Sequence, residues 1–391
     1  MSSGKGSFIG QDGLNAPDKP TGVTVSGGAD GVASISFIAP SDTGTSAITG
    51  FVATASTGVG ATGTSSPISV TGLTLGTAAT FRAYAINAYG TSAASDATSA
   101  ITPAGSRGVF SGGSTADTTI DYISITSTGN ATDFGDHTAT SYLSGGLASS
   151  TRGVFILGSN SNIIEFITIS TTGNATDFGD TGTAGYWMTA FSNSTRGVHR
   201  IGYNGSSNLD TIEYITIASA GNSTDFGNIS SAGRDEGGLA SPTRGVLGGM
   251  RNNSNDATDE IQYVTIASTG NTTDFGNLTV ARYATTGASN STRGLFIAGS
   301  DGNHNNVVDY ISIASTGNAT DFGDTSTGAQ NGVGALANST RAVNAGGERP
   351  SSRSNVIEYF TISSAGNGTD FGDLTVAKDG ISGLSNAHGG L

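Results

Sequence analysis

The sequence predicts an all-β protein in which a small two-sheet sandwich is followed by a six-bladed propeller. Three observations support this prediction. The motif G-N-x-T-D-F-G occurs six times in the 391-residue chain, at intervals of 44 to 49 residues. Two further motifs, S/T-R-G/A-V/L and I-E-Y-I-T-I, repeat in step with it, and a fixed period of this size is typical of repeat architectures. No segment has the periodicity of an amphipathic helix.

Residues 17–103 are predicted to form the first domain. Apolar and polar residues alternate in P-T-G-V-T-V, A-S-I-S-F-I, I-T-G-F-V-A and T-F-R-A-Y-A-I-N, as expected for strands with one buried face. These strings resemble fibronectin type III domains, which implies two packed sheets. Phe37 stands in place of the family's usual core tryptophan, and Ala79 in place of its corner tyrosine. The residues expected in the core are Val23, Val25, Ile35, Phe37, Phe51, Leu73, Phe81 and Ile86.

Residues 1–16 are rich in Gly and Ser and precede this domain. We interpret them as a flexible arm, which either becomes ordered on a partner or is a disordered terminus. They contain no apolar stretch of the kind found in secretory signals, so none is expected. The remaining residues, 104–391, contain all six copies of the repeat.

Each repeat is predicted to contain four antiparallel strands, which is the size of one propeller blade. The arginine motif begins one strand, I-E-Y-I-T-I forms the next, T-D-F-G begins the returning strand, and the stretch before the following arginine supplies the fourth. Residues 379–387 at the C-terminus provide the strand that is missing in front of Arg107. We therefore expect the C-terminal strand to pair with the first repeat and to close the ring, which leaves only short edges exposed.

The repeats are similar to kelch repeats. An apolar strand ends in a Gly-Gly pair at 112–113, 248–249 and 346–347, and a strand that contains an aromatic residue follows. The phenylalanine of T-D-F-G stands where kelch repeats usually have tryptophan. The resemblance covers the repeat region and implies a kelch-like β-propeller.

One arginine and one aspartate recur in every repeat. In one interpretation, each arginine forms hydrogen bonds with a motif aspartate and so joins two neighbouring blades; in the other, the arginines form a ring of ligand-binding groups. The aspartates are expected to accept hydrogen bonds from turn backbone or to pair with these arginines; a ring of Ca²⁺ sites is a further alternative, although each position offers few clustered oxygens. The residues are Arg107, Arg152, Arg196, Arg244, Arg293 and Arg341, and Asp133, Asp177, Asp225, Asp274, Asp321 and Asp370.

Differences between the repeats fall on one predicted face. The loop after the R-G-V-F strand and the segment that leads into the next repeat vary, whereas the S-N-S-T and S-T-G-N turns of the other face recur. We predict that the variable face binds a ligand and that Trp187, the only tryptophan, stacks on a sugar or anchors a protein interface. Ordinary loop variation, and inner-strand packing of Trp187, are the alternatives. The predicted ligand-binding residues are Tyr142, Tyr186, Trp187, Arg234, Asp235, Tyr283, Gln330, Asn331, Lys378 and Asp379.

The composition argues against several classes of function. The chain has no cysteine, which excludes disulfides, thiolate metal sites and cysteine nucleophiles. Its 30 acidic and 16 basic residues give a net charge of −14, which disfavours binding to nucleic acid and to anionic membranes. No segment is long and apolar enough to span a bilayer. The four histidines share no metal-ligand spacing and no catalytic set stands apart from the repeats, so we expect no enzyme activity, cofactor or metal.

Taken with the two resemblances, the cysteine-free repeats rich in Gly, Ser, Thr and Asn are similar to appendage proteins of tailed bacteriophages. This resemblance implies a non-enzymatic structural protein on the virion surface, in the tail, a fibre or a capsid decoration, assembled in the host cytoplasm. Residues 1–103 would dock onto other virion proteins. The propeller would attach to a host-surface glycan or protein, in multiple copies or as a homo-oligomer. A bacterial surface or secreted adhesin with a carbohydrate-binding propeller is the second alternative, and an enzyme on a propeller scaffold is the third.

Overall fold

The structure is a computed structural model that describes residues 14–27, 31–74, 77–103, 105–114, 117–326, 330–349 and 352–391. Every regular element in these ranges is a β-strand and none is a helix, so the predicted all-β class is confirmed. The chain divides into two compact units between Gly105 and Ser106, close to the boundary expected after residue 103. Most of the predicted arm, residues 1–13, lies outside the described residues. Asn15 belongs to the first unit, because its carbonyl accepts a 2.9 Å hydrogen bond from the Asn87 amide.

The first unit contains seven strands in two antiparallel sheets, with strand orders β1-β2-β5 and β4-β3-β6-β7. The strands are β1 (Thr21–Gly27), β2 (Ala33–Ile38), β3 (Ile48–Ala55), β4 (Gly60–Gly63), β5 (Ile68–Val70), β6 (Phe81–Asn87) and β7 (Gly90–Thr91). Both sheets contribute to one apolar core, in which the Phe37 and Phe51 rings lie 4.9 Å apart.

Seven of the eight predicted core residues of this unit pack in or against that core. The expectation for Ile86 is wrong. In β6 the buried residues alternate from Phe81 through Ala83 and Ala85 to Asn87, and Ile86 is only half-buried. Successive side chains of a strand point to opposite faces, so Ile86 falls on the other side of the sheet.

The second unit contains the remaining strands. They are β8 (Arg107–Ser111), β9 (Thr119–Ser124), β10 (Thr132–Asp136), β11 (Gly145–Ala148), β12 (Arg152–Ile156), β13 (Ser161–Thr168), β14 (Thr176–Ser192), β15 (Arg196–Tyr203), β16 (Leu209–Thr216), β17 (Thr224–Arg234), β18 (Gly237–Ala240), β19 (Arg244–Gly248), β20 (Arg251–Asn252), β21 (Glu260–Thr265), β22 (Thr273–Asn277), β23 (Thr286–Ser289), β24 (Arg293–Ile297), β25 (Val307–Ser312), β26 (Thr320–Asp324), β27 (Gln330–Ala337), β28 (Arg341–Arg349), β29 (Ser352–Arg353), β30 (Val356–Thr361), β31 (Thr369–Asp373) and β32 (Ser382–Ser385).

These strands pair as six successive antiparallel sets, which we number repeats 1 to 6. Repeat 1 consists of β32, β8, β9 and β10; repeat 2 of β11, β12, β13 and the first half of β14; repeat 3 of the second half of β14 with β15, β16 and β17; repeat 4 of β18, β19, β21 and β22; repeat 5 of β23 to β26; and repeat 6 of β27, β28, β30 and β31. Because β14 runs without interruption, repeats 2 and 3 share an eight-stranded sheet, which is curled.

The C-terminal strand belongs to the first repeat. Ser382 to Ser385 of β32 pair with Ser111 to Gly108 of β8, which confirms the pairing expected from the sequence. The first strand of each repeat packs against the first strand of the next, and β32 also packs against β11 and β27. The succession of repeats therefore closes on itself.

Buried apolar residues form six clusters in this unit, and each cluster joins two neighbouring repeats. The cluster between repeats 6 and 1 combines Phe110 and Ile123 with Val343 and Phe371. Each repeat thus buries its apolar face against the next repeat, as stacked repeat units do.

The glycine of T-D-F-G has a specific role at these contacts. Gly276 has a φ of +145°, and a Cβ at this position would lie 2.4 Å from the carbonyl oxygen of Gly317 in the next repeat. The equivalent glycines make the same approach in all six repeats, at 2.3 to 2.6 Å. A side chain here would separate two repeats, which explains why the motif retains glycine.

Candidate functional site

The six motif arginines join neighbouring repeats. Each guanidinium lies over the aromatic ring of its own third strand, 4.2 to 4.6 Å from the ring centroid. Its Nη1 donates a hydrogen bond of 2.7 to 3.0 Å to an isoleucine carbonyl of the next repeat. The pairs are Arg107–Ile169, Arg152–Ile217, Arg196–Ile266, Arg244–Ile313, Arg293–Ile362 and Arg341–Ile125. The arginines therefore contact a neighbouring repeat, but through a carbonyl and not through the expected carboxylate.

The six motif aspartates lie on the outermost strand of each repeat and are exposed. Their carboxylates form no hydrogen bond or ion pair with the described residues, so neither expected role, turn acceptor or arginine partner, is found. The residues are Asp133, Asp177, Asp225, Asp274, Asp321 and Asp370. The motif asparagine makes the contact between neighbouring repeats instead. The side-chain oxygen of Asn271, for example, accepts a 3.0 Å hydrogen bond from the backbone N–H of Asn228 in the preceding repeat.

A third repeated polar position escaped the sequence analysis. The middle of the I-E-Y-I-T-I strand carries a buried or half-buried acid, or a glutamine, that binds the segment leading into its own repeat. Asp309, for example, accepts bonds from the Thr279 amide at 3.1 Å and from Arg282 at 2.9 Å. The residues are Asp121, Glu165, Glu213, Gln262, Asp309 and Glu358. A charged residue in an otherwise apolar strand is the sequence signal that could have revealed them.

Lys378 belongs to this buried network. It is 1% exposed, and its Nζ lies 3.3 Å from Asp121 and 3.4 Å from Asp117. Its neighbour Asp379 is also buried and accepts a 2.7 Å bond from Arg353. These positions correct the assignment of both residues to a ligand-binding face, because their charges are neutralised inside the protein.

The variable face carries a ring of strained backbone. One residue at an equivalent position near the start of the first strand of each repeat has a positive φ, and in four repeats it is not glycine: Leu143, Trp187, Asp235 and Ala284 have φ between 53° and 67°. The equivalents in repeats 6 and 1 are glycines with φ of 72° and 68°. Such conformations are uncommon outside glycine and concentrate at functional sites.

This ring surrounds a narrow axial cavity of about 100 Å³, to which each of the six first strands contributes four successive residues. A second cavity of about 60 Å³ lies further along the same strands and is also lined by His388. His388 is within 2.8 Å of the Ala148 carbonyl, and the amide of Gly389 donates to the Ser289 carbonyl at 2.9 Å. The C-terminal residues thus cross the strands at the end away from the variable face.

Beside the ring lies a further cavity, of about 480 Å³. Four of its eight lining residues are aromatic, and it shares Leu143, Trp187 and Asp235 with the axial cavity. The Trp187 ring lies 6.0 Å from Tyr186 and 5.7 Å from Tyr203. The lining residues are Tyr142, Leu143, Tyr186, Trp187, Tyr203, Gly205, Asp235 and Arg251. We call this the aromatic cavity.

Two arginines accompany the aromatic cavity. Arg234 lies over Trp187 at 5.1 Å, and its Nη atoms donate to the side-chain oxygens of Asn208 and Asn255 at 2.7 and 2.8 Å. Arg251 lies 3.7 Å over the Tyr283 ring and lines the cavity. Its guanidinium has no hydrogen-bond or ion-pair partner among the residues that the structure describes.

Asp235 is 8% exposed and lies between the two cavities. Burial raises the pKa of Asp235 to about 7, although Arg251 and Arg234 act in the opposite direction. The neighbouring Glu236 pairs with the buried Arg200. One carboxyl at the cavity is therefore partly protonated near neutral pH.

The structure brings five of the predicted ligand-binding residues together at the aromatic cavity: Tyr142, Tyr186, Trp187, Arg234 and Asp235. Tyr283 lies beneath Arg251 and is 6% exposed, so it supports the site from behind. The side chains of Gln330 and Asn331 lie outside the described part of the structure. Tyr203 and Arg251 were not predicted as site residues, although Arg251 lies in the loop after the arginine-motif strand of its repeat, which the sequence shows to be variable.

Comparison with known proteins adds no assignment, since no protein-family model and no curated protein matches the chain. Within the described ranges, no helix could cross a membrane. In the same ranges no three acidic or histidine side chains cluster in a way that could hold a metal ion.

Proposed function

We propose that the second unit is a six-bladed, kelch-like β-propeller and the first a fibronectin type III-like sandwich. The closed succession of four-stranded repeats, completed by β32, supports the propeller. The three- and four-stranded sheets around a common core support the sandwich.

We infer that the propeller is a non-enzymatic module that binds a glycan on a host cell surface. The aromatic cavity is the observation that carries this inference. Trp187, Tyr186 and Tyr203 line the cavity together with Asp235 and Arg251, and sugars are bound by such a combination of aromatic surface and hydrogen-bonding partners. A protein ligand would need a wider apolar surface than the eight residues that line this cavity provide.

The biological setting that we propose is the surface of a tailed-bacteriophage virion, in the tail, a fibre or a capsid decoration. Residues 1–103 would attach the protein to other virion proteins and the propeller would contact the host. Each cavity is small, so many copies per particle would convert weak single contacts into firm attachment. A bacterial adhesin would use the same cavity, and the two settings differ in where the protein is located.

The single tryptophan makes the binding test specific. Fluorescence of Trp187 reports on the cavity alone, because the chain contains no other tryptophan. Binding would be screened on an array of bacterial surface polysaccharides, and each hit would be titrated against the emission of Trp187. We expect quenching or a shift that saturates. Tyr186→Ala should weaken binding by about tenfold or more, as expected for a central aromatic contact.

Tyr89→Ala is the matched control, since Tyr89 is an aromatic residue of the first unit that is 49% exposed and does not line the cavity. It should leave the titration unchanged. Absence of binding to every polysaccharide, or equal loss in both variants, would refute glycan binding by this cavity.

Electron microscopy of phage particles with a gold-labelled antibody would test the biological setting. Label at the tail supports host attachment, label on the head supports capsid decoration, and label on cells alone favours the adhesin.

A further inference from the structure

The aromatic cavity is lined by one cation, Arg251, that has no hydrogen-bond or ion-pair partner among the described residues. The second unit has six motif arginines, which bond to neighbouring repeats, and Arg200, Arg282 and Lys378, which pair with buried acids. Arg234 is held by two asparagines. Arg353 pairs with Asp379. The five N–H donors of Arg251 have no partner in the described residues, and its Nε is buried. Arg349 also has a buried Nε without a partner in the described residues, but of these two arginines only Arg251 lines the aromatic cavity.

The position of Arg251 is nevertheless fixed. Its backbone pairs with Arg234 of β17 and bridges to Ala257. The central carbon of its guanidinium lies over the Tyr283 ring, 3.7 Å from the ring centroid. A guanidinium immobilised in this way, with free donors at a cavity wall, loses little entropy when it binds a planar anion.

Resting on the proposed function, we infer that the aromatic cavity selects an acidic sugar, with Arg251 pairing with its anionic group while Trp187 contacts the sugar ring. The anion is a carboxylate, as in a uronic acid, or a phosphate, since a guanidinium forms two parallel hydrogen bonds with either. In a chain with a net charge of −14, this cation also attracts an acidic ligand to the aromatic cavity.

Asp235 makes the selection dependent on pH. The charged and titratable groups that face it are Arg251, Arg234, Glu236 and Tyr142. When Asp235 is protonated, its carboxyl no longer attracts Arg251, and the guanidinium is available to the ligand; when Asp235 is ionised, it competes with the ligand's anion for Arg251. Acidic glycans should therefore bind more tightly as the pH falls through about 7, and binding near that pH should take up a proton.

The test uses the full chain and the acidic polysaccharide that gives the strongest array signal. Trp187 fluorescence is titrated with this polysaccharide, with the same material after reduction of its carboxyl groups to alcohols, and with the same material after removal of phosphate. We expect loss of binding after one of the two treatments, which also identifies the anion. Arg251→Gln should weaken binding of the untreated polysaccharide by about tenfold or more.

Arg349→Gln is the matched control, because it removes the same charge at the end of β28 and does not line the cavity. It should leave the affinity unchanged. Equal binding before and after both treatments, or an Arg251→Gln variant that binds as well as the unaltered protein, would overturn the inference while glycan binding stands. Failure of neutral and acidic polysaccharides alike would instead refute the proposed function.

Discussion

Closure of the repeats by the C-terminal strand can be tested with one leucine. Leu384 of β32 is 4% exposed and packs with Val109, Phe155 and Ile167 of repeats 1 and 2. Truncation of a buried leucine to alanine usually costs about 2 to 5 kcal/mol, so Leu384→Ala should cost about 3 kcal/mol. For a unit that spans Ser106–Leu391, the unfolding entropy is about 0.6 kcal/mol per degree, which converts this loss to about 5 °C in Tm.

The control is the equivalent leucine inside the array. Leu239 of β18 is 3% exposed and approaches the arginine-motif glycine of the next repeat, Gly294, as Leu384 approaches Gly153. Thermal unfolding is followed by the fluorescence of Trp187, which reports on this unit alone. Closure predicts equal losses for Leu384→Ala and Leu239→Ala. A loss of about 5 °C for Leu239→Ala with almost none for Leu384→Ala would mean that the C-terminal strand does not complete repeat 1 in solution.

Two further outcomes follow from particular contacts. Gly276→Ala should be strongly destabilising, because its Cβ would meet a carbonyl of the next repeat at 2.4 Å. Gly270 has a similar φ and nothing within 4 Å, so Gly270→Ala should lower the Tm less. Equal Tm losses would refute the steric explanation. Asp235→Asn should stabilise the fold at high pH. The pKa of Asp235 rises from 3.8 to about 7 on folding, so the folded state binds the proton more tightly and stability falls as the pH rises between these values. The substitution removes this loss of folding free energy, which reaches about 4 kcal/mol at pH 8 and is almost zero near pH 4. A Tm difference between the variant and the unaltered protein that does not change with pH would contradict this prediction.

The repeat pattern predicted the strands well because each strand is encoded locally. Alternation in I-E-Y-I-T-I and the Gly- and Asn-containing turns identify strand and turn without knowledge of any neighbour. The failure at Ile86 has the same local origin: an apolar residue was assigned inward by its type, although its position relative to Phe81 places it on the opposite face.

The partners of the repeated polar residues could not be predicted in the same way. The sequence shows that Arg244 and Asp274 recur in step, and complementary charge suggested that they pair. In the structure Arg244 donates to the Ile313 carbonyl at 2.7 Å, while Asp274 lies exposed on an outer strand. Which groups meet depends on the stagger between repeats, and periodicity contains no information about that stagger.

Assembly of the site depended on the same relation between repeats. Trp187, Tyr142 and Asp235 were selected because they vary at one repeated position, but Tyr203 at the end of β15 and Arg251 at the start of β20 also line the cavity. Arg251 is distant from Trp187 along the chain, and only the side-by-side packing of repeats 3 and 4 brings them together.

The sequence alone determined that the protein is all-β, that its second part contains six equivalent units, that its C-terminal strand completes the first of them, and that one face varies. These properties follow from local patterning and from the number of copies. Only the tertiary structure decided which charges are neutralised inside the protein and which remain available. Lys378 and Arg251 are both cations in variable segments, yet Lys378 is buried beside two aspartates, whereas Arg251 lines the aromatic cavity and has no partner among the described residues. That distinction arises from three-dimensional burial and hydrogen bonding, which residues distant in the chain create together.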